Sequence, residues 1–139
     1  MAELTNMRRA VERWRRDGVK LLPPEDDVAV IGRLRDLGRL ISRDVVELYC
    51  ATGGMEWDMD TNLLSLWPLD RVTSENAARD YPFLLFADFL LNSHLYGLKY
   101  ENADESSVYA VGAGEPERVA GSLDEFFKHL LNDPGKLWM

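Results

Sequence analysis

The sequence predicts an α+β fold: N-terminal helices, a mostly antiparallel or mixed β-sheet, and a closing C-terminal helix. Three observations predict it. Apolar residues recur at helical spacing through the first third of the chain. From Met55 onward the period falls to two. Ser122 and Glu125 then form an S-x-x-E capping box in front of a final amphipathic run. With no repeat, low-complexity stretch or linker in 139 residues, one domain is expected over residues 1–139, with residues 1–20 as an N-terminal helical extension.

Taken in order, Leu4, Met7, Val11 and Trp14 mark a helix over 3–17 that Gly18 stops. "LLPPEDD" breaks the chain. Pro24 suits the first turn of a second helix, and Glu25, Asp26 and Asp27 favour its positive dipole end. That helix buries Val30, Ile31, Leu34 and Leu37 and ends at Gly38. Ser42 caps a third helix, with Ile41 and Val46 as a staple and Val45, Leu48, Tyr49 and Thr52 as its stripe; Gly53 takes the left-handed position after it. "MEWDMD" alternates Met55, Trp57 and Met59 against Glu56, Asp58 and Asp60, which predicts a strand. "LLSLWPL" is a second strand ended by Pro68, and "DRVTSENAARDYP" a loop with a short helix. "FLLFADFLL" has the near-continuous apolar character of a central strand covered on both faces. "HLYGLKYE", "SVYAVG" and "RVAG" supply further strands, and the last helix buries Leu123, Phe126, Phe127, Leu130 and Leu131 before Pro134 and Gly135 end it.

Charge and composition narrow the function. The net charge of −8 is uneven: residues 1–43 carry ten Lys/Arg against seven Asp/Glu, and residues 44–139 carry six against seventeen. A nucleic-acid binder needs a cationic footprint, which most of this chain lacks. "MRRAVERWRR" is interleaved with the apolar stripe and reads as a solvated helix face rather than a nucleic-acid arm. No apolar run approaches the roughly 20 residues of a membrane helix. The arginine-rich start does not resemble a signal peptide, and one cysteine is compatible with a reducing compartment, so a cytoplasmic protein is expected.

The stretch "LYCATGGMEW" holds the single cysteine beside a Gly-Gly pair. A phosphate-cradling glycine loop precedes a helix, and these glycines follow one. Cys50 lies near a helix C-terminus without a cationic neighbour, which predicts an inert, partly buried thiol. His94 shares a strand face with Tyr96, Leu98 and Tyr100, predicting a packed, hydrogen-bonded ring; His129 lies off the apolar stripe and is expected in solvent. "VGAGEPE" lacks the third glycine of a dinucleotide loop and leads to a strand. Carboxylates at Glu56, Asp58 and Asp60 on one strand face suit either a hard cation or a solvated acidic surface for a cationic partner; the second is preferred. Acidic loop residues Glu101, Asp104 and Glu105 are an alternative contact surface. No catalytic residue, cofactor site or metal site is assigned.

The assembled segments resemble the SUKH superfamily, the group of Smi/Knr-type proteins that includes many bacterial immunity proteins. The resemblance runs from Leu22-Pro23 to the C-terminus. It rests on "VVELYCATGG", "LLSLWPLDRV", "FLLFADFLLNSHLYGLKY", "SVYAV" and "RVAGSLDEFFKHLLND". It implies a mixed sheet packed against helices from both chain ends. It also implies binding without catalysis: neutralisation of a toxin, often a nuclease, by direct contact. This chain departs from the family where Phe89, Leu90 and Leu91 follow Asp88 in place of an acidic, glycine-rich turn, and where Leu123 replaces an aromatic. The expectation is therefore a non-enzymatic protein whose partner is a basic protein, a toxin domain, with neither nucleic acid nor membrane. An intracellular scaffold on the same fold and a metal-dependent hydrolase are the competing readings.

Overall fold

A computed structural model describes residues 4–77, 81–90, 93–112 and 114–137. Residue 3 of the first expected helix, 78–80 of the expected loop, Leu91 of the apolar run and Ala113 of the G-x-G stretch lie outside these. The elements are α1 (Thr5–Arg16), α2 (Asp27–Arg35), α3 (Arg43–Ala51), β1 (Leu64–Leu66), α4 (Leu69–Ala77), β2 (Leu84–Phe89), β3 (His94–Tyr100), β4 (Ser106–Val111), β5 (Glu117–Ala120) and α5 (Leu123–Asn132), followed by a 3-10 turn at Pro134–Leu137. The fold is α+β. The sheet runs β1-β2-β3-β4-β5 in chain order and all four of its pairings are antiparallel, so the parallel component that the resemblance allowed is not found there. No helix among the described residues is long and apolar enough to cross a membrane.

Helix α1 buries Met7, Val11 and Trp14 of the expected stripe together with Ala10, and Leu4 is buried just ahead of its first residue. That stripe packs on α5, with Trp14 edge-on to Phe127 at 5.8 Å. The first turn of α1 has no side-chain cap of its own, and α5 supplies one: Asp124 accepts from the Met7 N–H and from Asn6 Nδ2, both at 2.9 Å. Helix N-termini leave backbone donors free, and a carboxylate there also suits the dipole. Residues 5–16 are thus a layer of the core rather than an extension from it.

Helix α5 closes the opposite side of that layer against the sheet. Ser122 Oγ accepts from the Glu125 N–H (3.1 Å), and Glu125 Oε1 accepts from the Gly121 N–H (2.8 Å), so the capping box reaches one residue further back than its standard form. Phe126 meets Phe86, Tyr96 and Phe127 at 5.8, 5.2 and 5.3 Å. Tyr96 donates its hydroxyl to the Leu137 carbonyl (3.0 Å), fastening the 3-10 turn that continues the chain where only a stop was expected.

Several local expectations are corrected. Helix α2 begins at Asp27, leaving Pro24 outside its first turn, whereas α4 is the short helix expected in the polar stretch after Pro68. Ser42 occupies the N-cap of α3 without capping it; its hydroxyl instead joins Asp44 and Ser106, each at 2.6 Å. The left-handed glycine is Gly54 (φ +104°), not Gly53. Both are nonetheless required. A Cβ on Gly53 would lie 2.3 Å from the Pro23 carbonyl, and one on Gly54 would lie 2.6 Å from Pro68 Cα, so this pair lets two chain segments pass on either side. Strand β2 is next to the edge strand rather than central, but Leu84–Asp88 are all buried, as expected of a strand covered on both faces. A bulge at Phe86 breaks its pairing with β3, and the buried Asn76 side chain serves Leu85 there: Nδ2 donates to the Leu85 carbonyl (2.8 Å) and Oδ1 accepts the Leu85 N–H (3.0 Å).

The largest correction is "MEWDMD", which is not a strand. Met55 makes one isolated bridge, to Leu21, and Trp57 then turns the chain at φ +52°. Asp58 accepts from the Lys20 and Met59 N–H groups at 2.8 Å each. Asp60 accepts from Asn62 and Leu64 at 2.8 and 3.0 Å. Aspartates that capture nearby backbone donors compete with a sheet ladder, which is why alternation here did not mean a strand.

Candidate functional site

The six acidic candidates separate into three settings. Asp60 is buried, and beyond its two backbone donors it accepts from Trp14 Nε1 at 2.9 Å. Burial pushes its carboxyl above the ordinary 3.8, against the pull of these hydrogen bonds. It holds the fold together and presents no surface, so its place among the partner contacts is withdrawn. Glu101, Asp104 and Glu105 are exposed on the turn between β3 and β4. Glu101 accepts from Ser107 Oγ (2.6 Å), and Asp104 lies 3.5 Å from Arg43 Nε at the start of α3. Glu56 is exposed and Asp58 half-buried on a groove that none of the other four carboxylates lines.

This groove, of about 590 Å³, is built where three segments meet. The chain at Leu21–Leu22 runs beside Gly53–Met55, with Leu22 N–H on the Gly54 carbonyl at 2.8 Å and Gly53 N–H on the Leu22 carbonyl at 3.0 Å. Ser65 on β1 donates to the Asp58 carbonyl (2.9 Å), fixing the loop over the sheet edge. Pro68, Asp70, Arg71 and Ser74 bring in α4. Leu22, Met55, Met59 and Pro68 give the groove apolar walls.

Two of its lining residues, Arg71 and Asp88, belong to a polar stack with the buried Trp67 behind them. Trp67 donates its indole N–H to Asp88 Oδ2 at 2.7 Å, Arg71 Nη1 lies 3.6 Å from the same oxygen, and the Arg71 guanidinium covers the Trp67 ring at 4.2 Å. Asp88 is buried, so its charge is matched by a cation and a donor rather than by water. At the rim the lowered carboxyl of Asp58 reflects its two backbone donors first, so it stays charged. Asp70 is paired with Arg33. Trp57 stands at the rim with 95% of its surface exposed, on a left-handed backbone that costs a non-glycine residue on the order of 1–3 kcal/mol. Sequence pattern assigned Trp57 to a buried strand face; nothing local marked it as the most exposed large apolar residue of those described.

The remaining candidates carry less. The Cys50 thiol is half-buried and pushed up, by burial first and then by Asp27, Asp26 and Glu47, the reverse of an activated nucleophile. His94 packs against Phe89 at 6.1 Å, but its Nδ1 is buried without the hydrogen bond expected of it. His129 is half-buried, 3.7 Å from Glu125, and so not fully in solvent. Among the described residues no three His, Cys, Asp or Glu side chains gather as a metal site, and the acidic triplet that suggested one is dispersed. The arginines of α1 face outward, Arg8, Arg9, Arg13 and Arg16 lining a shallow groove with Glu12 and Asp17. No family model matches this chain, and no curated protein matches it.

Proposed function

We propose that this protein is a non-catalytic binding protein whose Trp57 groove receives a basic protein partner, and that the partner is a toxin domain it neutralises. The observation that carries the binding role is Trp57: an almost fully exposed indole, on strained backbone, beside Glu56 and Asp58 and above apolar walls. Tryptophan dominates binding hot spots because a large ring desolvates well at small entropic cost. An exposed one held in a costly conformation favours a contact role over accident. The toxin assignment draws on the resemblance to SUKH immunity proteins and on the net charge of −8, which suits an inhibitor that covers a cationic, phosphate-binding surface.

The test is co-expression with the protein encoded beside this gene. Growth is expected to be restored by the intact chain, and Trp57→Ala is expected to weaken the complex about tenfold or more, as hot-spot truncations do. Failure to bind or protect removes the toxin reading. Protection with an affinity untouched by Trp57→Ala moves the contact away from the groove.

A further inference from the structure

We infer that the groove takes an arginine side chain of its partner, stacked on the Trp57 indole with Glu56 as its counter-charge. This deepens the binding role proposed above and rests on it. One complete example of such a stack lies beside the groove, with Arg71 and Asp88 lining it and Trp67 buried behind them: the Arg71 guanidinium is 4.2 Å from the Trp67 ring, and the Asp88 carboxylate is 2.7 Å from the indole nitrogen and 3.6 Å from the guanidinium. The rim repeats the indole and the carboxylate without the cation. Asp70 has Arg33, and Asp58 has the Lys20 and Met59 backbone donors with the Lys20 charge nearby. Glu56 has no hydrogen bond or ion pair to any described side chain, and Arg71 is committed to that stack. An indole that is 95% exposed offers its face.

Arginine fits this better than lysine. Its planar group stacks on an indole, is weakly hydrated, and presents several donors to a carboxylate at once. The volume of about 590 Å³ exceeds one side chain, and the walls at Leu22, Met55, Met59 and Pro68 favour apolar residues flanking the arginine. The occupant is accordingly a protein segment of the form apolar-Arg-apolar.

Trp57 itself provides the readout: of the described tryptophans it is the exposed one, Trp14 and Trp67 being only 2% and 1% exposed. The probe is a capped Leu-Arg-Leu peptide, titrated while the Trp57 indole N–H resonance is followed, its assignment fixed by its loss in Trp57→Phe. Peptides carrying citrulline or lysine in place of arginine are the controls, citrulline keeping the shape without the charge. The arginine peptide is expected to shift the resonance saturably. Citrulline is expected to bind about tenfold more weakly, the size of a partly desolvated cation–π contact, with lysine between them. Glu56→Gln is expected to reduce the preference of arginine over citrulline without altering the spectrum elsewhere. Equal binding of arginine and citrulline, or no shift at millimolar arginine peptide, overturns the inference. The two readings fail separately. A whole partner still lost on Trp57→Ala alongside such a result keeps the groove and discards the arginine.

Discussion

Asp44 and Asp60 are carboxylates removed from water, and the donors around each determine what replacing it does. Asp44 accepts from Ser42 Oγ on one oxygen and from the Ser106 and Leu123 N–H groups, at 3.2 and 3.4 Å, on the other. An asparagine there keeps one oxygen for both backbone donors and turns its amide to the Ser42 hydroxyl, which accepts as readily as it donates. At Asp60 the same exchange aims an amide at Trp14 Nε1, donor against donor. Asp60→Asn is therefore expected to cost roughly 1–3 kcal/mol, and Asp44→Asn distinctly less, in denaturant unfolding. Trp14→Phe in the Asp60→Asn background should then cost less than it does alone. Both carboxyls are raised above 3.8 by burial. The folded state thus holds their protons more tightly than the unfolded chain. The stability this contributes is complete below 3.8 and is lost as pH rises through the higher folded value. Asp44→Asn is expected to flatten that decline, read as unfolding midpoints across the acid range. Cys50→Ala, by contrast, removes an unactivated thiol; partner affinity should be unchanged and stability lowered by on the order of 1 kcal/mol.

At the scale of elements, α5 and Asn76 show what a sequence does and does not disclose. The stripe of α5 was legible because a buried helix face imposes a 3.6-residue period, and its capping box because both partners are local. Phe126 touches Phe86, Tyr96 and Phe127, so Phe126→Ala is expected to cost roughly 3–5 kcal/mol, checked as a loss of melting temperature. Asn76 was not legible. It stands in a polar run, and only the β2 bulge, created far from it in the pattern, supplies Leu85 as its partner. Asn76→Ala strips a buried strand residue of both hydrogen bonds and is expected to destabilise as much as an aromatic truncation, although no apolar surface is lost. The groove failed to show for a related reason. Alternation in "MEWDMD" satisfied the strand template, but the aspartates captured backbone donors and Trp57 took a left-handed turn. A hydrophobic period reports burial where a sheet face supplies it, and no such face receives Trp57, which is 95% exposed. The glycine pair had a visible signal, since two adjacent glycines imply close backbone passage; which segments pass was not visible.

For the whole molecule, the proposed complex would draw on the −8 charge at a distance and on the groove at contact. These contributions separate experimentally, because steering weakens as added salt shortens the screening length from roughly 10 Å at 0.1 M to 3 Å at 1 M, and a buried contact is screened much less. The dispersal of the acidic residues decides which substitutions can be used. Neutralising Asp60 would unsettle the core through Trp14, and Asp104 is engaged with Arg43 at the head of α3. Glu56→Gln at the groove and Glu101→Gln with Glu105→Gln at the β3–β4 turn leave those ties intact. If charge guides a basic partner broadly, both sets should slow association modestly and reduce its salt slope, with Glu56→Gln alone also speeding dissociation. The asymmetry follows from location: a charge at a contact changes how long the complex lasts, whereas one outside it changes how often partners meet. Stopped-flow association over a salt series, with dissociation measured separately, reads both. A turn variant that speeds dissociation as much as Glu56→Gln would place the contact at residues 101–105 instead of the groove. Association rates and salt slopes unchanged in both variants would show that the acidic surface does not steer the partner, and leave Trp57 as the determinant of binding.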